Sequence, residues 1–324
     1  MKNATLRQFK VFEAVANHLS FSRAAEELHL TQPAVSMQVQ ALEDLAGVAL
    51  FEQIGKKIFL TAAGDELLRH ARRIAQQLRE ADEAMASIRG VKGGRLNIGV
   101  VSTAKYIAPR LLVAFRARHP EVELSLVVEN RETVVRHLAD NAIDLAIMGV
   151  PPKDFETVAE VFAEHPHVIV AAPGHPLATK RKIAPEALAA EPFLIRESGS
   201  GTRGAMERFF SERNVQLDHT VELASNETIK QAVMAGMGLS FISEHSIGLE
   251  LSVGRLAKLD VVGTPVIRHW HIVHRPEKQL LPMALAFLEF MRAEAPDLIV
   301  EQPLGWCAVP AASQIKKKRA KSGG

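Results

Sequence analysis

The chain has 324 residues, of which 47% are hydrophobic and 23% are charged, and its formal net charge is +2. This length and composition predict about two domains with sizeable cores, and exclude a wholly disordered chain, a collagen-like fibre and a small disulfide-stapled protein. The single cysteine, Cys307, excludes an internal disulfide and favours a reducing compartment. The sequence shows neither a signal-peptide pattern nor an apolar stretch approaching about 18 residues. We therefore expect a cytoplasmic protein without a membrane partner.

The charges are unevenly distributed along the chain. Residues 1–90 contain 11 basic and 11 acidic side chains, whereas residues 316–321 contain five basic side chains and no acidic one. The net charge therefore reflects a short tail, and a nucleic-acid partner must be argued from where the charges lie. Residues 303–324 have no periodic pattern, and we expect a disordered basic tail there.

Residues 20–45 predict two short helices joined by a three-residue turn at residues 29–31. Thr31 is a candidate N-cap of the second helix, and Pro33 fits its first turn. Three apolar side chains at helical spacing face the core: Val35, Val39 and Leu42. The opposite face begins with short polar side chains, which is typical of a recognition helix that enters the DNA major groove by its N-terminal turns. An ordinary helical hairpin inside a bundle is the alternative.

Residues 50–60 predict a short β-hairpin that turns at Gly55. Lys56 and Lys57 flank the turn, where they could reach DNA phosphates or simply be solvated. A basic hairpin next to the two helices favours a winged helix-turn-helix over a helical hairpin. We assign residues 1–60 to this DNA-binding domain.

Residues 21–25 (FSRAA), 31–39 (TQPAVSMQV), 50–52 (LFE) and 60–64 (LTAAG) closely resemble the LysR-type transcriptional regulator family. The likeness is dense over residues 5–65 and, with the remainder, covers about 300 residues. The resemblance and the pattern together give these candidate DNA contacts: Arg23, Thr31, Gln32, Pro33, Ala34, Ser36, Met37, Gln38, Gln53, Lys56 and Lys57. Met37 and Gln53 depart from the family, which often has arginine at both positions, so weaker phosphate contact or a different base preference is implied.

Residues 61–90 predict one long linker helix. Seven side chains alternate at spacings of four and three residues: Leu67, Ala71, Ile74, Leu78, Ala81, Met85 and Ile88. This period of about 3.5 residues is typical of a coiled-coil seam between two chains, whereas a packing face within one domain drifts toward 3.6. We expect a homodimer or homotetramer that binds double-stranded operator DNA with dyad symmetry.

From residue 95 onward, short β-rich runs alternate with helical stretches, which predicts a parallel, doubly wound sheet. The chain is expected to form effector lobe I with residues 91–164, lobe II with residues 165–265, and lobe I again with residues 266–302. The chain therefore crosses between the lobes twice. These two crossing segments are expected to form a hinge, with a ligand in the cleft between the lobes. The predicted fold is therefore α plus α/β, with a two-lobed effector domain like that of periplasmic binding proteins.

Each lobe has a hydroxyl-rich turn from strand to helix, at residues 99–106 and 196–204. Free N–H groups at a helix start, with hydroxyls and a cation nearby, form an anion site, although two ordinary Ser/Thr caps fit as well. Asn226 and Thr228 are helix-cap candidates first and cleft contacts second. The predicted effector contacts are Ser102, Thr103, Lys105, Glu129, Asn130 and Met148 in lobe I, and Ser198, Gly199, Ser200, Gly201, Thr202, Arg203 and Asn226 in lobe II.

A dehydrogenase is the main alternative. Gly199, Gly201 and Gly204 satisfy the dinucleotide-binding pattern, and Glu222 follows about twenty residues later. The pattern is short, and no paired acid and base accompany it, so we expect neither an enzyme nor a cofactor. A periplasmic solute-binding protein would need a signal peptide.

Histidines cluster in two predicted strands. His269 and His271 share one strand face and His274 the other, but no nearby cysteine or carboxylate completes tetrahedral spacing, so we expect no metal. We interpret them, together with His165 and His167, as residues of a solvated sheet face.

Residues 103–112 and 196–203 resemble the branch of the LysR family that regulates Calvin-cycle carbon-fixation operons. The resemblance implies that phosphorylated sugars, related metabolites or nucleotides are sensed. We expect a sequence-specific transcriptional regulator of such an operon that binds a small anionic metabolite between its lobes and has RNA polymerase as a further partner. A LysR-type regulator of another pathway stays open.

Overall fold

The computed structural model describes residues 1–55, 57–88 and 93–300. The chain divides into two compact units, an N-terminal helical one and a C-terminal α/β one, which are described separately. Among the described residues, no helix is long and apolar enough to cross a bilayer. The predicted tail over residues 303–324, with Cys307, lies outside the described residues.

The N-terminal unit consists of helices and one hairpin. Its elements are α1 (Leu6–His18), α2 (Phe21–Glu27), α3 (Gln32–Ala46), β1 (Phe51–Ile54), β2 (Lys57–Leu60) and α4 (Ala62–Ile88). Ala24 and Ala25 of α2 pack against Val35 and Val39 of α3, so that small side chains let the two helices approach closely. The predicted helix pair and its short connection are confirmed.

Thr31 is the N-cap of α3, as predicted, although its side chain makes no capping hydrogen bond. An N-cap side chain normally accepts from one of the next N–H groups in the first turn. Pro33 has no N–H group, which removes one of these donors. The rigid proline ring therefore starts the helix without side-chain capping.

The hairpin of β1 and β2 forms the predicted wing, and Gly55 turns it with a φ of 65°. Glu43 of α3 holds the start of the wing, since its Oε1 accepts from the backbone amides of Leu50 at 2.7 Å and Phe51 at 3.2 Å. Gly64 of α4 lies against the same point, where an added Cβ would be 2.1 Å from the Leu50 carbonyl oxygen. The resemblance motifs at residues 50–52 and 60–64 therefore meet in space beside Glu43, and these contacts orient the wing.

The apolar stripe of α4 divides into two parts. Ala71 is buried with Leu68 in the core of its own domain, and Leu67 packs against the same core. Leu78 and Met85 are 43% and 53% exposed. The first part of the stripe is thus a packing face within the chain, which corrects the expectation that Ala71 belongs to a seam between chains. The side chain of Ile88 lies outside the described residues.

The C-terminal unit is built on one mixed sheet, whose described strands follow the order β4-β3-β5-β11-β6-β9-β7-β8, with β10 beside β6. The strands are β3 (Gly94–Val101), β4 (Val122–Glu129), β5 (Leu145–Met148), β6 (Val158–Ala171), β7 (Phe193–Arg196), β8 (Thr220–Leu223), β9 (Leu239–Ser243), β10 (Ala257–Lys258) and β11 (Val266–His274). The helices are α5 (Ala108–Arg116), α6 (Arg131–Ala139), α7 (Gly201–Ser211), α8 (Asn226–Met234), α9 (Gly248–Ser252) and α10 (Pro282–Val300), and a 3-10 helix spans Ala104–Tyr106.

The expectation of a parallel sheet is correct within each lobe and wrong at the crossings. In lobe I, β3 is parallel to β4 and β5, and in lobe II β7 is parallel to β8 and β9. The crossing strands β6 and β11 are antiparallel to each other. One strand leaves lobe I and the other returns to it, so they must run in opposite directions. β6 also begins at Val158, ten residues before the predicted run at Val168.

Candidate nucleic-acid interface and effector cleft

The outer face of α3 presents the residues predicted to contact DNA. Thr31, Gln32, Pro33 and Met37 are exposed, and Met37 is 71% exposed. The other predicted contacts divide by accessibility: Ala34, Ser36 and Gln38 are half-buried, Arg23, Gln53 and Lys57 are exposed, and Lys56 lies outside the described residues. The structure therefore leaves the first turns of α3 accessible.

Two pairs of polar side chains on this face bond to each other. Gln32 Nε2 donates to Ser36 Oγ at 3.1 Å, and Gln40 Nε2 donates to Asp44 Oδ1 at 3.2 Å. Residues 32–41 contain no charged side chain. The face thus offers neutral donors and acceptors together with the apolar surface of Met37, which suits contacts to base edges.

A cleft lies between the two lobes of the C-terminal unit. Its inner cavity is small, about 20 Å³, and an adjoining outer pocket measures about 330 Å³. Six predicted effector contacts line the inner cavity: Ser102, Thr103, Asn130, Ser200, Gly201 and Thr202. Three more line the outer pocket: Ser198, Gly199 and Arg203.

The hydroxyl groups at the cleft are not used as helix caps. Thr103 precedes the 3-10 helix and Ser200 precedes α7, but neither side chain makes a capping hydrogen bond. The first N–H groups of the eleven-residue α7 face no intrahelical acceptor. The turns therefore keep the donors that an anion requires, which favours the anion site over two ordinary caps.

Arg268 of β11 is a cation at the cleft that the sequence analysis did not single out, and it lines the inner cavity together with Arg131 and Arg196. Its Nη1 donates to the carbonyl oxygen of Gly201 at 2.8 Å, and no carboxylate in the described ranges pairs with it. Burial, followed by the neighbouring charges of Arg208 and Arg131, lowers the pKa of Arg268 to about 10. It is still cationic at neutral pH, so this site holds positive charge without an anion to balance it.

Arg203, the cation predicted from sequence, is already neutralised by ion pairs. Its guanidinium bonds Glu207 at 2.8 Å, and it also bonds Glu222. Lys105 is similarly placed 3.9 Å from the Glu227 carboxylate. These pairs correct the expectation that Arg203 and Lys105 supply charge to an anion. The pairing of Glu222 also removes the acid that the dinucleotide pattern required.

Three other predicted contacts lie away from the cavity lining. Met148 is fully buried in β5, and its neighbour Gly149 lines the cavity instead. Glu129 is exposed at the end of β4. Asn226 is buried, and it is Ser225 that caps α8 by accepting from the Thr228 amide. The expectation that Asn226 or Thr228 caps this helix is therefore wrong.

Arg196 connects the two lobes. Its guanidinium forms two bonds of 2.7 Å with Glu197, donates to Asn226 Oδ1 at 2.6 Å, and reaches Ser102 Oγ of lobe I at 3.1 Å. A second connection joins the Tyr106 hydroxyl of lobe I to the Glu227 carboxylate of lobe II. Asn226 therefore acts behind the cleft, by positioning Arg196.

The floor of the cleft contains buried histidines, which contradicts the expectation of a solvated sheet face. His165 and His167 are 2% and 0% exposed. His165 stacks on Trp270 with ring centroids 3.6 Å apart, and its Nε2 lies 2.9 Å from Ser243 Oγ. Its Nδ1 has no partner among the described residues, and a Cβ at Gly149 would lie 3.3 Å from it. The histidine thus presents an unused nitrogen at the cavity that it lines.

His165 and His167 should make the C-terminal unit sensitive to acid. Burial holds the pKa of His165 well below its usual value, and it lowers that of His167 to about 3. Below about pH 6.5 the unfolded chain binds protons that the native state does not, so the free energy of unfolding falls as the pH falls, by about 1.4 kcal/mol per pH unit for His167. Thermal unfolding between pH 7.5 and 5 measures this loss.

The matched control for this prediction is His219, an exposed histidine of the same unit. A His167→Phe variant should lose less stability between pH 7.5 and 5 than the wild type, whereas His219→Phe should follow the wild type. Equal pH dependence of all three proteins would contradict the assignment.

The remaining histidines form no metal centre. Within the described ranges, no group of three or more histidine, cysteine, aspartate or glutamate side chains is arranged to hold a metal ion. His269 is exposed and His271 is half-buried on β11. His245 accepts a hydrogen bond at Nδ1 from the Trp270 indole at 3.0 Å, which gives it a structural role.

Two family models match the chain in the two units described above. The model described as "Bacterial regulatory helix-turn-helix protein, lysR family" matches residues 6–65, and that described as "LysR substrate binding domain" matches residues 89–296. The chain belongs to the LysR family. As a LysR-family protein, it combines a helix-turn-helix domain with a two-lobed α/β effector domain, and the predicted fold class is confirmed.

The LysR-family chain is similar to the RuBisCO operon transcriptional regulator of Allochromatium vinosum, with 52% identity over 293 residues that cover 90% of this chain and 97% of the relative. The regulatory domain of Synechocystis PCC6803 CcmR, solved in complex with 2-PG, is 39% identical with a TM-score of 0.60, over 62% of this chain and 96% of that one. Full-length CbnR, solved with its target DNA, is 27% identical with a TM-score of 0.67, over 89% of this chain and 99% of that one.

These similarities decide between the classes of function that the sequence left open. The family and the similar curated proteins are transcriptional regulators, so the chain is a DNA-binding regulator and the dehydrogenase alternative is excluded. Resemblance to the carbon-fixation branch is confirmed at the level of sequence similarity.

Proposed function

We propose that this LysR-family regulator controls a carbon-fixation operon in response to a phosphorylated metabolite bound between its effector lobes. The observation that carries the target is the 52% identity to a RuBisCO operon regulator over 90% of the chain. The regulator acts in the cytoplasm as a homodimer or homotetramer and has RNA polymerase as a further partner.

The DNA part of the proposal assigns operator contact to α3 and to the wing. The exposed first turns of α3, with Gln32, Pro33 and Met37, enter the major groove. Lys57 of the wing and Arg23 of α2 are exposed, and they contact flanking phosphates. The likeness to CbnR, which was solved with its target DNA, supports this arrangement.

The oligomer part of the proposal rests on the second half of the α4 stripe. Leu78, Ala81 and Met85 are exposed in the single chain and lie at coiled-coil spacing. Covering them with the same residues of a partner removes apolar surface from water. Two reading heads then bind an operator with dyad symmetry, because a twofold protein places its heads on two related half-sites.

The effector part of the proposal rests on the unbalanced charge at the cleft. Arg268, the first N–H groups of α7 and the free Nδ1 of His165 converge on the inner cavity. A phosphate group accepts hydrogen bonds from Arg268, from the N–H groups of α7 and, in the tautomer with the proton on Nδ1, from His165, and it balances the guanidinium charge. The inner cavity of about 20 Å³ has room for little more than one water-sized group. Binding of a whole metabolite therefore requires the outer pocket or an opening of the lobes.

The test is a gel-shift titration of the full chain on the promoter that diverges from its own gene. We expect a retarded complex, and we expect 2-phosphoglycolate, but not glycolate, to change its affinity or mobility. Allosteric coupling of the usual size changes affinity about 5- to 150-fold. DNA binding that no phosphorylated metabolite alters would overturn the effector assignment, and no retardation at low ionic strength would overturn the target.

A further inference from the structure

We propose that Met37 recognises the methyl group of thymine in the major groove of the operator. The inference rests on the proposed function, in which α3 is the helix that enters the groove. It goes beyond that function by naming the chemical group of the base that one side chain of α3 selects.

The position of Met37 points it directly away from the protein. It lies two residues from both Val35 and Val39, which are buried, and at 100° per residue this places it about 160° around the helix from each. Its 71% exposure agrees with that angle. In the free protein this apolar side chain is therefore held in water, and covering it in the complex is favourable.

The side chains within one helical turn of Met37 are neutral, and the first carboxylates of α3 are Glu43 and Asp44 near its end. Pro33, one turn earlier on the same ridge, is also exposed, and Gln32 and Gln40 flank the ridge. Both glutamine amides already donate to a neighbour in α3. No charge in residues 32–41 competes for phosphate at this point. A base edge that approaches Met37 therefore meets an apolar surface with polar groups at its sides.

Thymine is the base that presents an apolar group in the major groove, through its C5 methyl. A methionine side chain is unbranched and adapts its shape, so it can cover that methyl without a fixed geometry. Arginine, which the family often has here, would instead donate to guanine. The structure thus favours thymine at the base pair that Met37 covers.

The test uses uracil, which pairs like thymine but lacks the methyl group. Binding sites are first selected from a pool of random duplexes by the full chain, and each thymine of the selected site is then replaced by deoxyuridine. We expect one position in each half-site at which the replacement weakens binding about fourfold, and about fifteenfold when both half-sites are changed, as expected for one buried methyl.

The Met37→Ala variant should bind the thymine and uracil duplexes equally at that position. Val48→Ala is the matched control, because Val48 is also an exposed apolar residue but lies beyond the end of α3, and this variant should keep the wild-type sensitivity. Both substitutions are at the surface, and equal melting temperatures check that the fold is intact.

Each result has one interpretation. A wild type that selects duplexes but tolerates uracil at every position overturns the role of Met37, as does a Met37→Ala variant that still distinguishes the two bases. Failure to select any duplex overturns the proposed function instead. If Val48→Ala also loses the sensitivity to uracil, the effect belongs to the N-terminal unit as a whole, and the specific contact between Met37 and the thymine methyl is overturned.

Discussion

Replacing Leu78 and Met85 together by glutamate is expected to lower affinity for the full operator by about two to four orders of magnitude. Linking two reading heads turns the second contact into an intramolecular one, and that gain is lost when the dimer separates. The two side chains are exposed in the single chain. The added carboxylates therefore repel each other only where the α4 helices of two chains meet. Fluorescence anisotropy on the full operator and on one half-site measures the loss.

The control is Gln77→Glu, which adds a carboxylate next to Leu78 but outside the apolar stripe. The glutamate double variant should be monomeric at micromolar concentration and keep its affinity for an isolated half-site, whereas the control should remain dimeric. If the double variant still sediments as a dimer, α4 is not the seam.

Replacing Arg268 by leucine is expected to weaken binding of 2-phosphoglycolate about 10- to 100-fold, because a charge-assisted hydrogen bond is lost in a half-buried site. Calorimetric titration of the full chain measures this loss. The melting temperature should be unchanged or higher, since Arg268 is a half-buried cation with no carboxylate partner among the described residues, and removing such a charge from water costs stability.

Arg181→Leu is the matched control for Arg268. Arg181 is an exposed arginine of the same unit, 3.9 Å from Asp260, and its replacement should leave ligand affinity unchanged. Undiminished binding by Arg268→Leu would show that the anion lies elsewhere. A fall in melting temperature with the loss of binding would instead indicate a structural role.

The N-terminal unit could be predicted in detail because its signals are local. The small residues of α2, Pro33 at the start of α3 and Gly55 at the wing tip each act over a few positions of the chain. The stripe of α4 was recognisable for the same reason. Periodicity alone did not show that Ala71 packs on its own domain while Met85 is exposed. That difference depends on how far along α4 the other helices of the N-terminal unit extend.

The site in the C-terminal unit depends on contacts between residues that are distant in the sequence, and several predictions about it were wrong. His165 is buried because Trp270, about a hundred positions later, stacks on it. Arg203 is neutralised by Glu222, which is brought near only by the pairing of β7 with β8. One signal for Arg268 was available: it shares a strand face with Trp270 and Ile272, where a charged residue is costly and therefore marks a site.

The first ten residues of α3 carry no charge. We therefore expect the affinity of the N-terminal unit for DNA and its sequence specificity to depend on different side chains. Salt weakens protein–DNA complexes through the counterions that cationic side chains displace from phosphates. In this regulator the exposed cations Arg23 and Lys57 lie outside α3, the helix that we propose reads the bases. A change in ionic strength would then scale binding to all sites together and leave the preference for the operator intact.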